Sequence, residues 1–494
     1  MAVAELSTQT AFEATGTGVQ TRPSDQALEE LRAAIRGDLL VPEDPGYAQV
    51  RPAFNAMYPG RPAVVVRATG TADVVDAVQF ARQHGLLVAV RGGGHSVAGL
   101  SSVDGGLLID LAVMNGVIVD RDARIARVQG GALWGDVDRE TQRFGLVAPG
   151  GVVSDTGVAG LTLGGGQGWV RRKHGLSCDN VLSAQVVCAD GEARTASADT
   201  NPDLYWAIRG GGGNFGIVTS FSFQLHPLDP IVAFAGVFYP AAEAAHVIRG
   251  FRDYMSTAPD EVSAQTVSFT MPADEDLPAE VHNKACTIVA GVYAGDPDEG
   301  MQVLRPLREL APPLADISQP MPFTDVQRGF DPLFVRGTLR GYLKSQYLAQ
   351  LSNEAIDLVA QQIRQRATPR TLIATLPMGA AINRVGSQET AYAERSALWM
   401  VSIDGFWSDA AGDATAIAWV RQACTDLGKY GTGTPYLNFT SIADENPSVG
   451  VERAFGQNLQ RLAHIKAKYD PDNFFRLNNN IPPAARPAHE RANG

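Results

Sequence analysis

Arg91-Gly92-Gly93-Gly94-His95-Ser96, entered from Leu86-Leu87-Val88-Ala89-Val90, is the stretch that decides the fold. Three consecutive glycines let the backbone approach a ligand with no Cβ in the way, and successive N–H groups in such a turn can converge on an anion. The run sits at the end of a strand. Upstream, Ala63 to Ala68 reads as a β-branched strand. Thr71 then opens a helix through His84, with Asp73 in its first turn and Gly85 as its stop. A strand, a helix and a second strand in this order predict an α/β unit whose last strand carries the glycine turn at its C-terminal end, where ligands of such units sit.

Farther along, Leu107 to Asp110, Val117 to Asp120 and Ile125 to Gln129 read as strands, and Ala132 to Phe144 as a helix ended by Gly145. A second glycine field follows from Gly150 to Gly168. After the alternating strand Val181 to Ala189 comes a third, Gly210 to Gly216, leading into Ile217 to Phe221. From about Pro230 the texture changes to longer alternating segments, such as Cys286 to Tyr293 and Leu398 to Trp407, and helices such as Asn353 to Arg366. That pattern predicts an antiparallel sheet backed by helices. An amphipathic helix from Val451 to Tyr469 and an aromatic-led, amide-rich segment, Phe474 to Ile481, close the sequence. Pro482 to Gly494 reads as a fraying end.

At 494 residues the chain exceeds one ordinary core, so two lobes are expected. Its net charge of −12 has no basic block, which argues against nucleic acid or an anionic membrane as partner. Cys178, Cys188, Cys286 and Cys424 are too scattered for a disulfide framework or a metal site, so no metal is expected. Met1 to Thr21 lacks a basic head followed by an apolar run, and no uninterrupted apolar span of about 18 residues occurs. A cytoplasmic location is the expectation; oligomeric state is not readable.

Gly211, Gly213 and Gly216 satisfy G-x-G-x-x-G, yet a strand follows where a dinucleotide fold of the nicotinamide type needs a helix, and no acid stands about 20 positions on. No P-loop sequence is present. Three glycine fields over more than a hundred residues fit a long ligand such as FAD; glycine-rich turns of a β-rich fold share the same composition.

Val90 to Ser96 with Asp104 to Asp110, then Thr156 to Gly168, Gly175 to Asn180, Tyr205 to Gly216, Tyr436-Leu437-Asn438 and Tyr469 to Ile481 resemble, in order, the motifs of the berberine-bridge-enzyme-like branch of the vanillyl-alcohol oxidase superfamily. The resemblance covers nearly the whole chain. It implies an α+β fold of two domains: a PCMH-type FAD-binding domain over residues 1–225, with its core at about 58–228, and a substrate domain over 226–440. Residues 441–494 return to the first domain.

By the same resemblance the FAD pyrophosphate lies over Arg91, Gly92, Gly93 and Gly94, and His95 matches the histidine that bonds to the flavin 8α-methyl carbon. Ser96, Thr156, Gly157, Gly160, Gly164, Gly216, Val218, Asn478 and Asn480 complete the cofactor-binding set. Many members carry a second link through cysteine; here that point falls at Val153 or Ser154, so a single link through His95 is expected, with no cysteinyl link. Tyr436 matches an active-site tyrosine, with Lys344 as a candidate cationic neighbour that would lower its pKa. Another position for a base, in the strand Leu398 to Trp407, falls at Ser402, a poor base. The expected reaction is hydride transfer from an alcohol, sugar or secondary metabolite, a small-molecule substrate, to covalent FAD, with O₂ as acceptor giving H₂O₂. A flavin dehydrogenase or amine oxidase on the same scaffold, or a flavin-binding protein without turnover, are the alternatives.

Overall fold

The computed structural model describes residues 23–485 except 276 and 442–446; the N-terminal leader reading and most of the fraying-end reading lie outside the described residues. The strands Val64–Arg67, Leu107–Asp110 and Val88–Arg91 lie side by side in parallel, with Leu107–Asp110 in the middle and Asp38–Leu40 antiparallel on the outer edge. Strands buried on both faces read as continuous apolar runs, and Val64, Val65 and Val66 are fully buried. The crossover is the helix Thr71–Gln83. Gly70, in extended backbone, holds the cap position expected of Thr71, while the Thr71 hydroxyl donates to Gln185 and Thr219 and the Asp73 carboxylate accepts from the backbone N–H groups of Arg36, Gly37 and Thr69.

A second, antiparallel sheet runs Val117–Asp120, Ile125–Gln129, Ile217–Gln224, Val181–Val187 and Ala193–Ser197 across its width. Its core receives Val451, Phe455, Leu462, Ile465, Tyr469 and Ile481 from the end of the chain. Lys466 fixes that return. Its fully buried ammonium donates to Asn214 O at 2.7 Å, Asp470 Oδ2 at 2.6 Å and Phe475 O at 2.8 Å, so a buried charge meets a carboxylate and two carbonyls. The helix expected over Val451 to Tyr469 is two, Pro447–Phe455 and Leu459–Tyr469, because Gly456 adopts a left-handed φ of 46° and starts a 3₁₀ turn.

Residues 231–407 build the third layer, a largely antiparallel sheet with Val262–Thr270, Leu372–Pro377, Trp399–Trp407 and Arg340–Leu348 as its consecutive neighbours on one side. The helices Ala244–Met255, Asn353–Arg364 and Asp413–Gly428 cover one face through Val247, Phe251, Ile356, Val359, Val420 and Leu427. Tyr342, Trp399 and Trp407 are part of that helix-covered core. The opposite face of these strands turns toward the glycine fields. The molecule is thus a two-domain α+β arrangement. Among the described residues no helix is long and apolar enough to cross a membrane.

Candidate active site

Between the glycine fields and the free face of the large sheet lies a cavity of about 360 Å³. Two kinds of glycine line it. A Cβ on Gly93 would stand 2.4 Å from the Gly157 backbone, and one on Gly157 would stand 2.3 Å from Gly93 N, so the first two glycine fields touch main chain to main chain. Gly92 likewise backs onto Gly130 O at 2.9 Å. A Cβ on Gly160 or Gly213, by contrast, would meet nothing within 4 Å, so both backbones are bare toward the cavity. The first kind closes the wall, and the second leaves room against it for a ligand.

Gly94, at a left-handed φ of 67°, turns the chain so that His95 faces this space. The His95 ring stacks on Phe54, centroids 4.0 Å apart, and its Nε2 lies 2.7 Å from Asp155 Oδ1. Arg336 reaches the other Asp155 oxygen at 3.6 Å. Burial would raise the Asp155 carboxyl; the hydrogen bond and charge of His95, with Arg336 behind them, outweigh it and hold Asp155 below the usual range.

Of the residues expected to hold the cofactor, Gly92, Gly93, Gly94, His95, Ser96, Thr156, Gly157, Gly160, Gly164, Gly216, Val218 and Asn478 line the cavity. Arg91 and Asn480 do not. The Arg91 guanidinium turns away and donates to Val50 O, to Arg51 O at 2.9 Å and to Ser101 O at 3.4 Å, so it anchors the loop under the turn instead of a phosphate. Asn478 donates to Gly213 O at 3.1 Å and Phe475 O at 2.9 Å, which ties the C-terminal segment to the third glycine field. Its buried Oδ1, and that of Gln167 Oε1, have no partner within the protein. Bare glycine backbone beside orphaned acceptors suits a long, flat, hydrogen-bonding ligand such as FAD. None of the four cysteines lines the cavity, and Val153, at the point of the second link, does.

Tyr436 also lines the cavity. Its phenol oxygen accepts from Gly166 N–H and from Asn438 Nδ2, both at 3.0 Å, and Gly164 is glycine because Asn438 Oδ1 would stand 2.1 Å from a Cβ there. Burial pushes the Tyr436 phenol well above its ordinary value, and these two hydrogen bonds offset only part of the rise. Lys344 is not beside it. Its ammonium donates to Ser441 O at 2.8 Å and lies 5.5 Å over the Tyr342 ring, outside the cavity lining. The fold brings the two residues near each other, since Ser345 bonds the Tyr436 backbone, without bringing the cation to the phenol.

The acid that sequence reasoning missed is Asp404. It follows Ser402 by two positions on the strand Trp399–Trp407, so both side chains leave the same face of the sheet, into the cavity. Ser402 Oγ donates to Asp404 Oδ1. Burial raises the Asp404 carboxyl to about 7, with the serine hydrogen bond pulling weakly the other way. A residue that changes charge near neutrality inside a cleft has the properties of a general base. The period-two pattern that marks this strand was the available signal: the same alternation that put Ser402 on the cavity face puts Asp404 there.

The sequence matches a family model described as "FAD binding domain" over residues 62–197 and one described as "Berberine and berberine like" over 436–482. The "Uncharacterized FAD-linked oxidoreductase YgaK" of Bacillus subtilis (strain 168) is 27% identical over 92% of this chain and 99% of its own length. The (R)-6-hydroxynicotine oxidase of Paenarthrobacter nicotinovorans is 28% identical over 91% of this chain and 97% of its own length. The solved structure of Physcomitrella patens BBE-like 1 superposes with a TM-score of 0.83 at 25% identity, covering 93% of this chain and 100% of that one. Both ends of the cavity wall, the glycine fields within 62–197 and the Tyr436 triplet with the amide-rich segment within 436–482, fall inside the matched regions, so at both the chain is similar to FAD-linked oxidoreductases of the berberine-bridge-enzyme-like kind.

Proposed function

We propose that this oxidoreductase is an oxidase of a small molecule bearing a hydroxyl or amine on the carbon that is oxidised, with FAD tethered through His95 alone. Bound FAD would supply the hydride acceptor, with dioxygen as the final oxidant, reduced to hydrogen peroxide. Asp404 takes the proton from the substrate heteroatom as hydride leaves the adjacent carbon, and Ser402 holds the carboxylate in position. Tyr436, with its oxygen engaged by Gly166 and Asn438, shapes the wall and orients the substrate in place of acting as the base expected of it. His95 offers an imidazole fixed between Phe54 and Asp155, and Asp155 at Nε2 leaves Nδ1 as the nitrogen to bond carbon. In this reading residues 1–225 with 441–494 hold the flavin and residues 226–440 face the substrate.

The observation that carries the proposal is the buried Asp404 carboxyl, on the sheet wall of a cavity whose other wall is bare glycine backbone. The Paenarthrobacter relative, named an oxidase, is consistent with oxygen as acceptor. Acid precipitation of the holoenzyme tests the tether. A yellow pellet from wild type and a colourless one from His95→Ala are expected, and a colourless wild-type pellet removes the covalent link. Rapid mixing of reduced holoenzyme with air tests the acceptor: reoxidation no faster than that of free flavin would make the protein a dehydrogenase.

A further inference from the structure

The side chains around Asp404 define what it acts on. In the antiparallel register Asp404 stands between Leu372 on one neighbouring strand and Leu343 on the other, with Ser402 and Phe406 two positions away along its own strand. All of these line the cavity. One step farther out, Ser402 is paired with Ala374, and Ala374 with Val267, which line it too. Ser345, also in register with Ser402, is unavailable to a ligand, since its hydroxyl accepts from Tyr436 N–H at 2.9 Å and donates to Tyr436 O at 3.3 Å. The lining loop opposite contributes Phe330 and Phe334. Around the carboxyl the sheet wall is therefore mostly apolar: besides Ser402 the polar side chain it turns to the cavity is Gln265, two positions from Val267, and the serine already spends its donor on Asp404.

From this juxtaposition we infer that the substrate is a predominantly apolar molecule with one hydroxyl or amine, directed at Asp404, and not a carbohydrate. A sugar carries a hydroxyl on nearly every carbon. Each one stripped of water without a partner weakens binding, by about fivefold to a hundredfold, and the Val267, Leu372, Ala374 and Phe406 side chains have no hydrogen bond to return. An aromatic or aliphatic body gains contact with those same groups, while its single protic group meets the acid. The inference deepens the proposed function and rests on it, because it takes this cavity as the place where substrate meets flavin.

The test uses holoenzyme under anaerobic conditions and four probes: 1-phenylethanol, N-methylbenzylamine, glucose and cellobiose. Binding is read from the shift in flavin absorption on mixing, and reduction from the bleaching that follows. Burial of one phenyl ring predicts that the two apolar probes bind about tenfold tighter than either sugar, or more. Leu372→Asn, opposite Asp404, should shrink that ratio severalfold by weakening the apolar probes. Sugars that bind as tightly as the apolar probes, or bleach the flavin faster, overturn the inference, and this wild-type comparison decides even if the variant does not fold. The expected binding order without bleaching by any probe, from a flavin that dithionite does bleach, would instead overturn hydride acceptance and leave the apolar chamber standing. If the preferred group is amine, N-methylbenzylamine outbinds 1-phenylethanol; the reverse order assigns the alcohol. Either order supports the inference.

Discussion

The two walls of the cavity are built by different means. One is backbone: Gly160 and Gly213 present main chain with nothing within 4 Å of where a Cβ would be, and Gly93 and Gly157 are packed against each other to bring the histidine turn alongside. The other is side chain: Asp404, Ser402, Leu372 and Ala374 project from two neighbouring strands in register. A backbone wall accepts a ligand by leaving atoms out, so its constraint appears as glycine. A side-chain wall selects a ligand by what it puts in, and that selection is written in residues a hydrophobic core would also use.

The largest effect should come from the side-chain wall. Asp404→Asn keeps shape and removes the base, and positioned general bases contribute about 10²- to 10⁴-fold. A fall of that order is expected in the rate of anaerobic flavin reduction by whichever probe reduces wild type, with flavin content unchanged. In wild type the reduction rate should climb as pH rises through about 7, where the carboxyl loses its proton, and the climb should vanish in the variant. Stability should move the opposite way. The folded carboxyl titrates above the ordinary value of 3.8, so its contribution to stability is complete at pH below that value and is lost as pH rises toward about 7. Asp404→Asn should therefore melt above wild type at pH 8, with the gap narrower at pH 5.5. A wild-type rate flat across pH 6 to 8 would take the base role away from Asp404.

How much of each wall could be read beforehand follows from this contrast. Arg91 to Ser96 announced a turn against a ligand, since three glycines in a row have few other uses, and the strand before it fixed where in the fold the turn would lie. The direction of the Arg91 side chain was not legible: the resemblance put a pyrophosphate over the stretch Arg91 to Gly94, and only the folded chain shows Val50 O, Arg51 O and Ser101 O accepting from the guanidinium. Asp404 escaped for a related reason. Alternation puts Asp404 on the face of Ser402, but Trp399 to Trp407 is apolar enough to read as core on both faces, and in the fold every residue of it is buried, so the sequence does not say that this face borders a cavity. The split of the final helix at Gly456 was missed because a glycine inside an amphipathic pattern can be tolerated or can break it, depending on the packing around it.

The backbone wall makes an intermediate prediction, and it separates its two kinds of glycine. At Gly93 a methyl group would overlap the Gly157 backbone at 2.4 Å, and neither strand of main chain can yield. Gly93→Ala should lower Tm by several degrees and reduce soluble yield. At Gly213 a side chain has open protein around it and points into the ligand's space. Gly213→Val should leave the melting of flavin-free protein within about 0.5 kcal/mol of wild type, the usual range for a substitution that meets no neighbour, while the flavin-to-protein absorbance ratio of purified protein falls. If Gly213→Val purified with a full complement of flavin, the third glycine field would be a turn of the scaffold and not a part of the cradle.

Lys344 should give the smallest effect, and it is the sharpest check on the side-chain wall. Read from sequence, a lysine on a strand next to the tyrosine was the cation that would make a phenol useful near neutrality. In the fold, alternation turns it off the cavity: Leu343 and Ser345 flank it, Leu343 lines the cavity, and the ammonium runs to Ser441 O at 2.8 Å. With no cation brought to it, the Tyr436 phenol stays above its ordinary value, and the acid–base work passes to Asp404. Lys344→Met should therefore change the flavin reduction rate less than about threefold, about 0.65 kcal/mol at 1.36 kcal/mol per tenfold, and leave its pH dependence where wild type has it. A hundredfold loss with a pH profile moved upward would mean that the lysine acts on the reacting proton after all, and that Tyr436, not Asp404, is the base it serves.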